Sequence, residues 1–429
     1  MYKIEKFIPR EYQNNIHNSI EGKNTLVCLP TGTGKTKLAI MSLIERLNDF
    51  PESKVVIISP TKPLSSQIAK EIKESTNIPQ NEIILLTGTI KPSERTKLFN
   101  DSKVIVATPQ TIQFDLEKKR ISVKDISLLV VDECHRSKEN FANTVVAKEY
   151  VAKAKNPLIL ALTASPGATK EKVSQVCSNL FIKNIELRTE EDEDLSEHIQ
   201  EKESLNIKVK LPVKFQKIQN YLKAHYRSKA IGLKKYGISK PPSSINKTDL
   251  LMYQRGFQAR IKNGDYFAYS GVSEVAEMIK AGHALGLIET QTPNALNEYF
   301  EKLRGESSKA SKNLVKNKLI GKCMELTKEL IASNEKHPKF NKLVEILEEE
   351  YKTNPEIKTI IFANYRSTVN EIKNALSSIK NIHPAVLVGQ KNGVTQKDQL
   401  ATLSKFSEGE YNALVCTSIG EEGISIGSL

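Results

Sequence analysis

The stretch Asn24-Thr25-Leu26-Val27-Cys28-Leu29-Pro30-Thr31-Gly32-Thr33-Gly34-Lys35-Thr36 runs from an apolar segment into a glycine-bearing loop, and Leu38-Ala39-Ile40-Met41 follows at once. That order predicts a buried strand, a tight loop and a helix. It is the setting of a phosphate-binding loop. Glycines at 32 and 34 let backbone N–H groups turn onto phosphate oxygens, and the helix N-terminus adds positive potential. Lys35 then reaches the β- and γ-phosphates of ATP, while the Thr36 hydroxyl joins the Mg²⁺ shell. A glycine-rich turn without a ligand would share the glycines, but rarely the Gly-Lys-Thr ending in this context.

A second stretch, Ile126-Ser127-Leu128-Leu129-Val130-Val131, ends in Asp132-Glu133-Cys134-His135. Two acids at the carboxyl end of a buried strand stand where open α/β sheets bind ligands. In that position Asp132 holds Mg²⁺, and Glu133 orients and deprotonates a water. Taken alone, the pair could equally cap the next helix. The phosphate loop upstream decides for the catalytic reading.

Further apolar segments at 54–59, 82–86, 103–107, 127–131 and 158–162 alternate with helical patterns up to about residue 181. Such alternation predicts α/β architecture with a doubly wound parallel sheet. The acidic run Thr189-Glu190-Glu191-Asp192-Glu193-Asp194-Leu195-Ser196-Glu197 reads as a solvated linker. From about 203 to 335 the pattern becomes helical, with Phe215, Ile218 and Leu222, and again Val275, Met278, Ile279 and Leu285, at helical spacing. Basic residues recur through this segment, where ordinary solvated helix faces and nucleic-acid contact are both open readings. Strand segments resume at 358–363, 384–388 and 412–417. The reading is therefore three parts: 1–202, 203–335 and 336–429.

The 429 residues carry 63 basic against 50 acidic side chains, a formal charge of +13. The excess favours a polyanionic partner. Five scattered cysteines without a Cys-x-x-Cys pair argue against zinc and iron–sulfur sites. No apolar run approaches the length needed to cross a bilayer, and the N-terminus has no signal core. The expectation is a cytoplasmic, nucleoid-associated protein with no membrane partner. With no Trp and 6% aromatic residues, phosphate and sugar contacts are expected to outweigh base stacking in any nucleic-acid complex.

The motif order extends this. Arg10-x-Tyr12-Gln13 precedes the loop. Pro60-Thr61-Lys62-Pro63-Leu64, Thr87-Gly88, Ala107-Thr108-Pro109-Gln110-Thr111, the Asp132 box, Thr163-Ala164-Ser165-Pro166, Phe362-Ala363-Asn364-Tyr365-Arg366 and Thr417-Ser418-Ile419-Gly420-Glu421-Glu422-Gly423 come after it. The chain resembles a superfamily-two helicase, with Leu29 at a position that is glycine in the general phosphate-loop pattern. Pro-Thr-Lys-Pro-Leu, Leu-Thr-Ala-Ser-Pro-Gly from Leu162 and Val-Gly-Gln from Val388 are similar, more narrowly, to archaeal Hef and its eukaryotic relative FANCM. The resemblance implies two RecA-like doubly wound domains, the second incomplete, with a thumb-like helical domain inserted between them that grips branched or forked DNA. It assigns Arg10 and Gln13 to adenine, and Thr31, Gly32, Thr33, Gly34, Lys35 and Thr36 to the phosphates. Lys35, Asp132, Glu133 and His135 become the catalytic set, with Mg²⁺ on Thr36 and Asp132. Thr61, Lys62, Thr87, Gly88, Thr108, Gln110, Arg366, Gln390 and Thr417 fall to the nucleic acid, and Thr163, Ser165, Gly420 and Gly423 to coupling.

Two departures qualify the resemblance. Ser425 and Gly427 stand where the family has an acid and a proline. The Gln-x-x-Gly-Arg-x-Gly-Arg segment that supplies arginine fingers, worth about 10³–10⁵ in rate in phosphoryl transfer, is not in the sequence. The expectation is an ATP-dependent translocase that remodels forks and junctions, of which this stretch hydrolyses ATP poorly. A double-stranded-RNA sensor and a nucleotide-gated binding module without turnover are the competing readings. Sliding-clamp or nuclease partners are not specified by these residues.

Overall fold

In the computed structural model the described residues are 1–20, 22–165, 169–196, 203–389 and 395–417. They divide into two compact units, Met1–Ser204 and Leu205–Leu429.

The first unit is built on seven strands: β1 Thr25–Cys28, β2 Lys54–Ile58, β3 Ile83–Leu86, β4 Val104–Ala107, β5 Ile126–Val131, β6 Ile159–Thr163 and β7 Asn184–Leu187. Their order in the sheet is β3-β4-β2-β5-β6-β1-β7, and every pairing is parallel. Five of the strands are near-continuous Val, Ile and Leu runs because both sheet faces are covered. Successive residues go to opposite sides. Val27, Val55, Ile57, Val104, Val106, Leu128 and Val130 enter one core, while Leu26, Val56, Ile58, Ile105, Leu129 and Val131 enter the other.

The sequence reading missed β7. It pairs with β1 at the sheet edge, and its apolar residues Ile185 and Leu187 are about half exposed, so neither a buried run nor a clean alternation announces it. The acidic run is also more than a solvated linker. Residues Glu193–Ser196 form a short helix, Leu195 is fully buried in the first core, and Arg188 pairs with Glu186 and Asp194 at 3.3 and 3.4 Å. One leucine docks an otherwise charged segment.

In the second unit, helices Val213–Gly232, Ala268–Thr290, Pro293–Gly305 and Lys318–Ala332 enclose a core of Phe215, Ile218, Leu222, Leu296, Phe300 and Met324. Of the residues read at helical spacing, Val275 and Met278 are buried and Ile279 and Leu285 only partly so. Residues β8 Thr359–Phe362, β9 Pro384–Leu387 and β10 Ala413–Cys416 form a parallel sheet of order β8-β10-β9. Buried polar contacts tie it to the helices: Thr368 donates to Gln291 at 2.9 Å, and His337 meets the Ile288 carbonyl at 3.2 Å. Among the described residues no helix is long and apolar enough to cross a membrane.

Candidate active site and nucleic-acid interface

All the motifs of the first unit stand at the carboxyl edge of one sheet, where the strand order sorts them. Loop 29–34 follows β1, Thr163 ends β6 and Asp132 follows β5, and these three strands are neighbours. Thr61 follows β2, Thr108 follows β4 and Thr87 follows β3, again neighbours. The edge has two halves.

In the first half the loop is pinned by its own atoms. Thr33 donates to the Pro30 carbonyl at 2.8 Å; Thr31 and Gly32 are exposed. Gly34 begins the helix Lys35–Asp49 at φ +81° with no side-chain cap, so the first-turn N–H groups keep no side-chain acceptor. A Cβ at Gly34 would lie 2.7 Å from the Gln13 Nε2. Gln13 itself is buried; its Oε1 accepts the Arg10 backbone N–H at 2.9 Å and its Nε2 reaches the Thr33 carbonyl at 3.5 Å. The adenine candidate thus touches the phosphate loop directly, while Arg10 contributes its backbone and leaves its side chain exposed.

Lys35 Nζ donates to the Leu29 and Pro30 carbonyls, each at 3.2 Å. Burial lowers its pKa, and Glu133 and Asp132 oppose that shift. Carbonyls are weaker partners for an ammonium than phosphate oxygens. Asp132 Oδ2 accepts from the Ser59 hydroxyl at 2.8 Å; burial raises its pKa. Glu133 goes the opposite way, held below the usual carboxylate range chiefly by its hydrogen bond with His135. Its backbone sits in the left-handed region at φ 49°. His135 Nδ1 lies 3.3 Å from Glu133 Oε2 and 3.1 Å from Thr163 Oγ1. Thr163 donates to the Ser165 carbonyl at 2.9 Å and accepts the Ser165 N–H at 3.1 Å. With Thr163 already donating, Nδ1 carries the proton, and one chain joins Glu133, His135, Thr163 and Ser165. Cys134 is fully buried and burial pushes its thiol up, so it acts as a small apolar residue.

Two residues here escaped the sequence reading. Ser59 binds Asp132 from 73 positions away, a contact only the sheet creates. Glu71, on the helix Lys62–Ser75, lies against Lys37 and Thr36, its pKa raised by burial.

The second half is quieter. Thr61 caps the helix Lys62–Ser75 by accepting the Leu64 N–H at 3.4 Å. The Thr108 hydroxyl is 2.8 Å from that of Thr111, and Thr87 is 2.8 Å from Thr89. Gly88 and Gln110 are exposed and line an open concavity of about 550 Å³ with Lys91, Thr111 and Phe114. Behind it Arg95 grips Asp115 through two bonds of 2.6 and 2.7 Å and the Ile90 carbonyl at 2.6 Å. Both side chains are at least 96% buried. No local pattern of residues signals this pair.

In the second unit, Arg366 starts the helix Arg366–Leu376 and donates to the Gly389 carbonyl. Thr417 is buried, its N–H on the Leu387 carbonyl at 3.2 Å. Gln390, Gly420 and Gly423 lie outside the described residues, as do Pro166, Ser425 and Gly427.

A phosphate loop after β1, an Asp-Glu pair two strands away and threonines at the strand ends along the same edge define a nucleotide-dependent helicase of superfamily two. Residues 10–173 match the family description DEAD/DEAH box helicase, 338–429 match Helicase conserved C-terminal domain, and 214–337 match the helical bundle of a putative ATP-dependent RNA helicase. The crystal structure of the Hef helicase domain from Pyrococcus furiosus is 37% identical with a TM-score of 0.70, over 98% of this chain and 88% of that one. A putative ATP-dependent RNA helicase of Methanocaldococcus jannaschii is 33% identical over 98% of this chain and 53% of its own length. The DEAD-box ATP-dependent RNA helicase FANCM of Arabidopsis thaliana is 32% identical over 99% and 33%, and the ATP-dependent DNA helicase mph1 of Neurospora crassa 30% over 98% and 38%. The chain belongs to the Hef and FANCM family of superfamily-two helicases, and it spans about half or less of the length of these three relatives.

Proposed function

We propose that this chain is the motor part of an ATP-dependent DNA helicase or translocase that remodels forks and junctions. The observation that carries the proposal is the shared sheet edge: the ATP half and the strand-binding half are adjacent termini of one parallel sheet, so a change at Asp132 reaches Ser59, the residue that follows β2 two positions before Thr61.

ATP would place its phosphates on the N–H groups of the loop and helix start, with Lys35 leaving the Leu29 and Pro30 carbonyls for phosphate oxygens. The residues fit Mg²⁺: Asp132 is a partly buried carboxylate whose side-chain hydrogen bond, among the described residues, is with a neutral hydroxyl, which leaves its charge for a cation, and Thr36 offers a second oxygen. Held there, the ion would neutralise charge developing on the phosphates. Glu133, kept ionised by His135, orients and deprotonates the attacking water. His135 and Thr163 carry the state of that carboxylate to Ser165. Thr61, Lys62, Thr87, Gly88, Thr108 and Gln110 hold strand phosphates through backbone N–H and hydroxyl groups. Arg366, Gln390 and Thr417 do so from the second unit, and Gly420 and Gly423 serve coupling. In this reading 1–202, 203–335 and 336–429 are the ATP-binding, gripping and second motor domains.

Two relatives and the helical-bundle family carry RNA helicase in their names, so double-stranded RNA is the second substrate reading. Competition between forked DNA and double-stranded RNA of equal length, with phosphate release followed in parallel, tests both. Forked DNA is expected to win and to stimulate release that Lys35→Ala abolishes. Preference for the RNA would overturn the DNA assignment.

A further inference from the structure

The helical segment of the second unit has two cores, and the distal one supports something its composition does not advertise. Ala230, Leu233, Tyr236, Leu250, Phe257, Ala268, Val275 and Met278 pack apart from the core around Phe215 and Phe300. From this distal core a ladder of rings leads outward. Phe257 meets Tyr236 edge to face at 5.1 Å, and Tyr236 meets Phe267 at 5.0 Å. Beyond them Tyr266 and Tyr269 lie parallel, centroids 6.3 Å apart and planes 9° apart. They are 76% and 58% exposed, and Phe267 is 56% exposed.

Three such side chains in four positions are costly to leave in water, and they are held there firmly. Asp265 is clamped by Arg260 at 2.7 Å and accepts the Phe267 N–H at 3.1 Å. Ser270 takes the Tyr236 hydroxyl at 2.7 Å. Gly264 supplies the turn at φ +88°, and at Gly271 a Cβ would stand 2.9 Å from the Phe257 ring, so the ring seats on bare backbone. The tip is preorganised, which is what a binding element needs.

Its surroundings select the partner. Between 223 and 269 the sequence has ten basic residues and two acidic ones. Both acids are engaged, Asp249 by Lys240 at 2.6 Å and Asp265 by Arg260, and Lys223, Lys229 and Lys235 pair with Glu289, Glu277 and Glu274 of the neighbouring helix. Arg227, Lys234, Lys247, Arg255 and Lys262 are exposed. Flat exposed rings within a positive field are the chemistry of unpaired nucleotides, stacking for the base and cations for the phosphate. An apolar protein surface or a neutral bilayer would use the rings without needing this charge.

We propose that Tyr266, Phe267 and Tyr269 form a stacking tip that receives an unpaired base at a nucleic-acid branch point, the surrounding lysines and arginines holding the flanking phosphates. This rests on the DNA reading of the chain and adds to it a recognition element for the unpaired nucleotide, making the tip an exception to backbone-dominated contact.

The test uses the full chain with forked DNA carrying 2-aminopurine as the first unpaired base, beside a blunt duplex of equal length. Wild type is expected to quench the probe on binding. Tyr266→Ala with Tyr269→Ala is expected to lose the quench and about tenfold or more in fork affinity, with blunt-duplex affinity held within about twofold. Tyr266→Phe with Tyr269→Phe, which keeps the rings, is expected to behave as wild type. Unchanged quench and fork affinity in the alanine variant would overturn the stacking tip while leaving the DNA reading intact, and would point to a protein or other partner for these rings. Failure of the wild type to bind either DNA would overturn both.

Discussion

The two halves of the first unit's sheet edge are built from similar strands yet are held in opposite ways. At the termini of β5, β6 and β1 the charges are unsettled: Lys35 rests on two carbonyls, and Asp132 and Glu133, adjacent in sequence, have pKa values displaced in opposite directions. At the termini of β3, β4 and β2 the hydroxyls are paired or capping, and the carboxylate of Asp115 is held internally, by Arg95 through two bonds and by Arg120 at 3.3 Å. The first half carries polar groups that a triphosphate and a cation would satisfy; the second is satisfied before any strand arrives. Fold stability and catalysis should therefore respond differently to mutation in the two halves.

The largest effect expected is on turnover. Lys35→Ala should reduce ATP hydrolysis by at least about a hundredfold, the scale of removing one transition-state charge partner, while leaving the urea midpoint unchanged or slightly higher because a desolvated ammonium is lost. A large drop in stability would break the comparison. In the other half, Arg95→Ala should destabilise the first unit by up to about 3–5 kcal/mol, the usual range for breaking a buried ion pair, with Arg120, 3.3 Å from the same Asp115 carboxylate, offsetting part of the loss. Arg95→Met combined with Asp115→Leu should recover much of that loss, as judged by urea unfolding.

Asp132 sharpens the contrast through pH. A carboxylate whose folded pKa lies above its unfolded value binds more protons in the folded state, so its stabilising contribution is complete below the unfolded pKa and is lost as pH rises through the raised one. Asp132→Asn should then leave the nucleotide-free protein equally or more stable at neutral pH while removing hydrolysis. In the wild type, affinity for Mg·ATP should fall as pH drops through the raised pKa, at higher pH than an ordinary aspartate would show. Calorimetric titration across pH 4–8 checks this. The smallest effect belongs to Thr61→Ala, expected to cost about 1 kcal/mol of stability through the lost cap, with a few-fold weaker grip on DNA.

How much of this was legible beforehand follows from locality. The loop 29–36 and the Asp132 box were readable because strand, loop and helix are consecutive in the chain and the chemistry sits at fixed offsets. Strands β1 to β6 announced themselves as buried runs. β7 did not, since an edge strand with exposed Ile185 and Leu187 has no periodic signature. Ser59 against Asp132, Glu71 against Thr36, and Arg95 against Asp115 were invisible because helices and strands far apart in sequence bring them together. The rings at 266–269 were visible as letters but not as a surface; an overall 6% of aromatic residues says nothing about three of them sharing one exposed tip.

Nucleotide and strand, on this reading, bind neighbouring halves of one sheet edge and sense each other through it. Measuring forked-DNA affinity with and without a non-hydrolysable ATP analogue, in wild type and in Lys35→Ala, tests that most directly. The analogue is expected to change the wild-type affinity severalfold and to leave the variant unmoved. Equal wild-type affinity in both conditions, with the analogue shown to be bound, would contradict it.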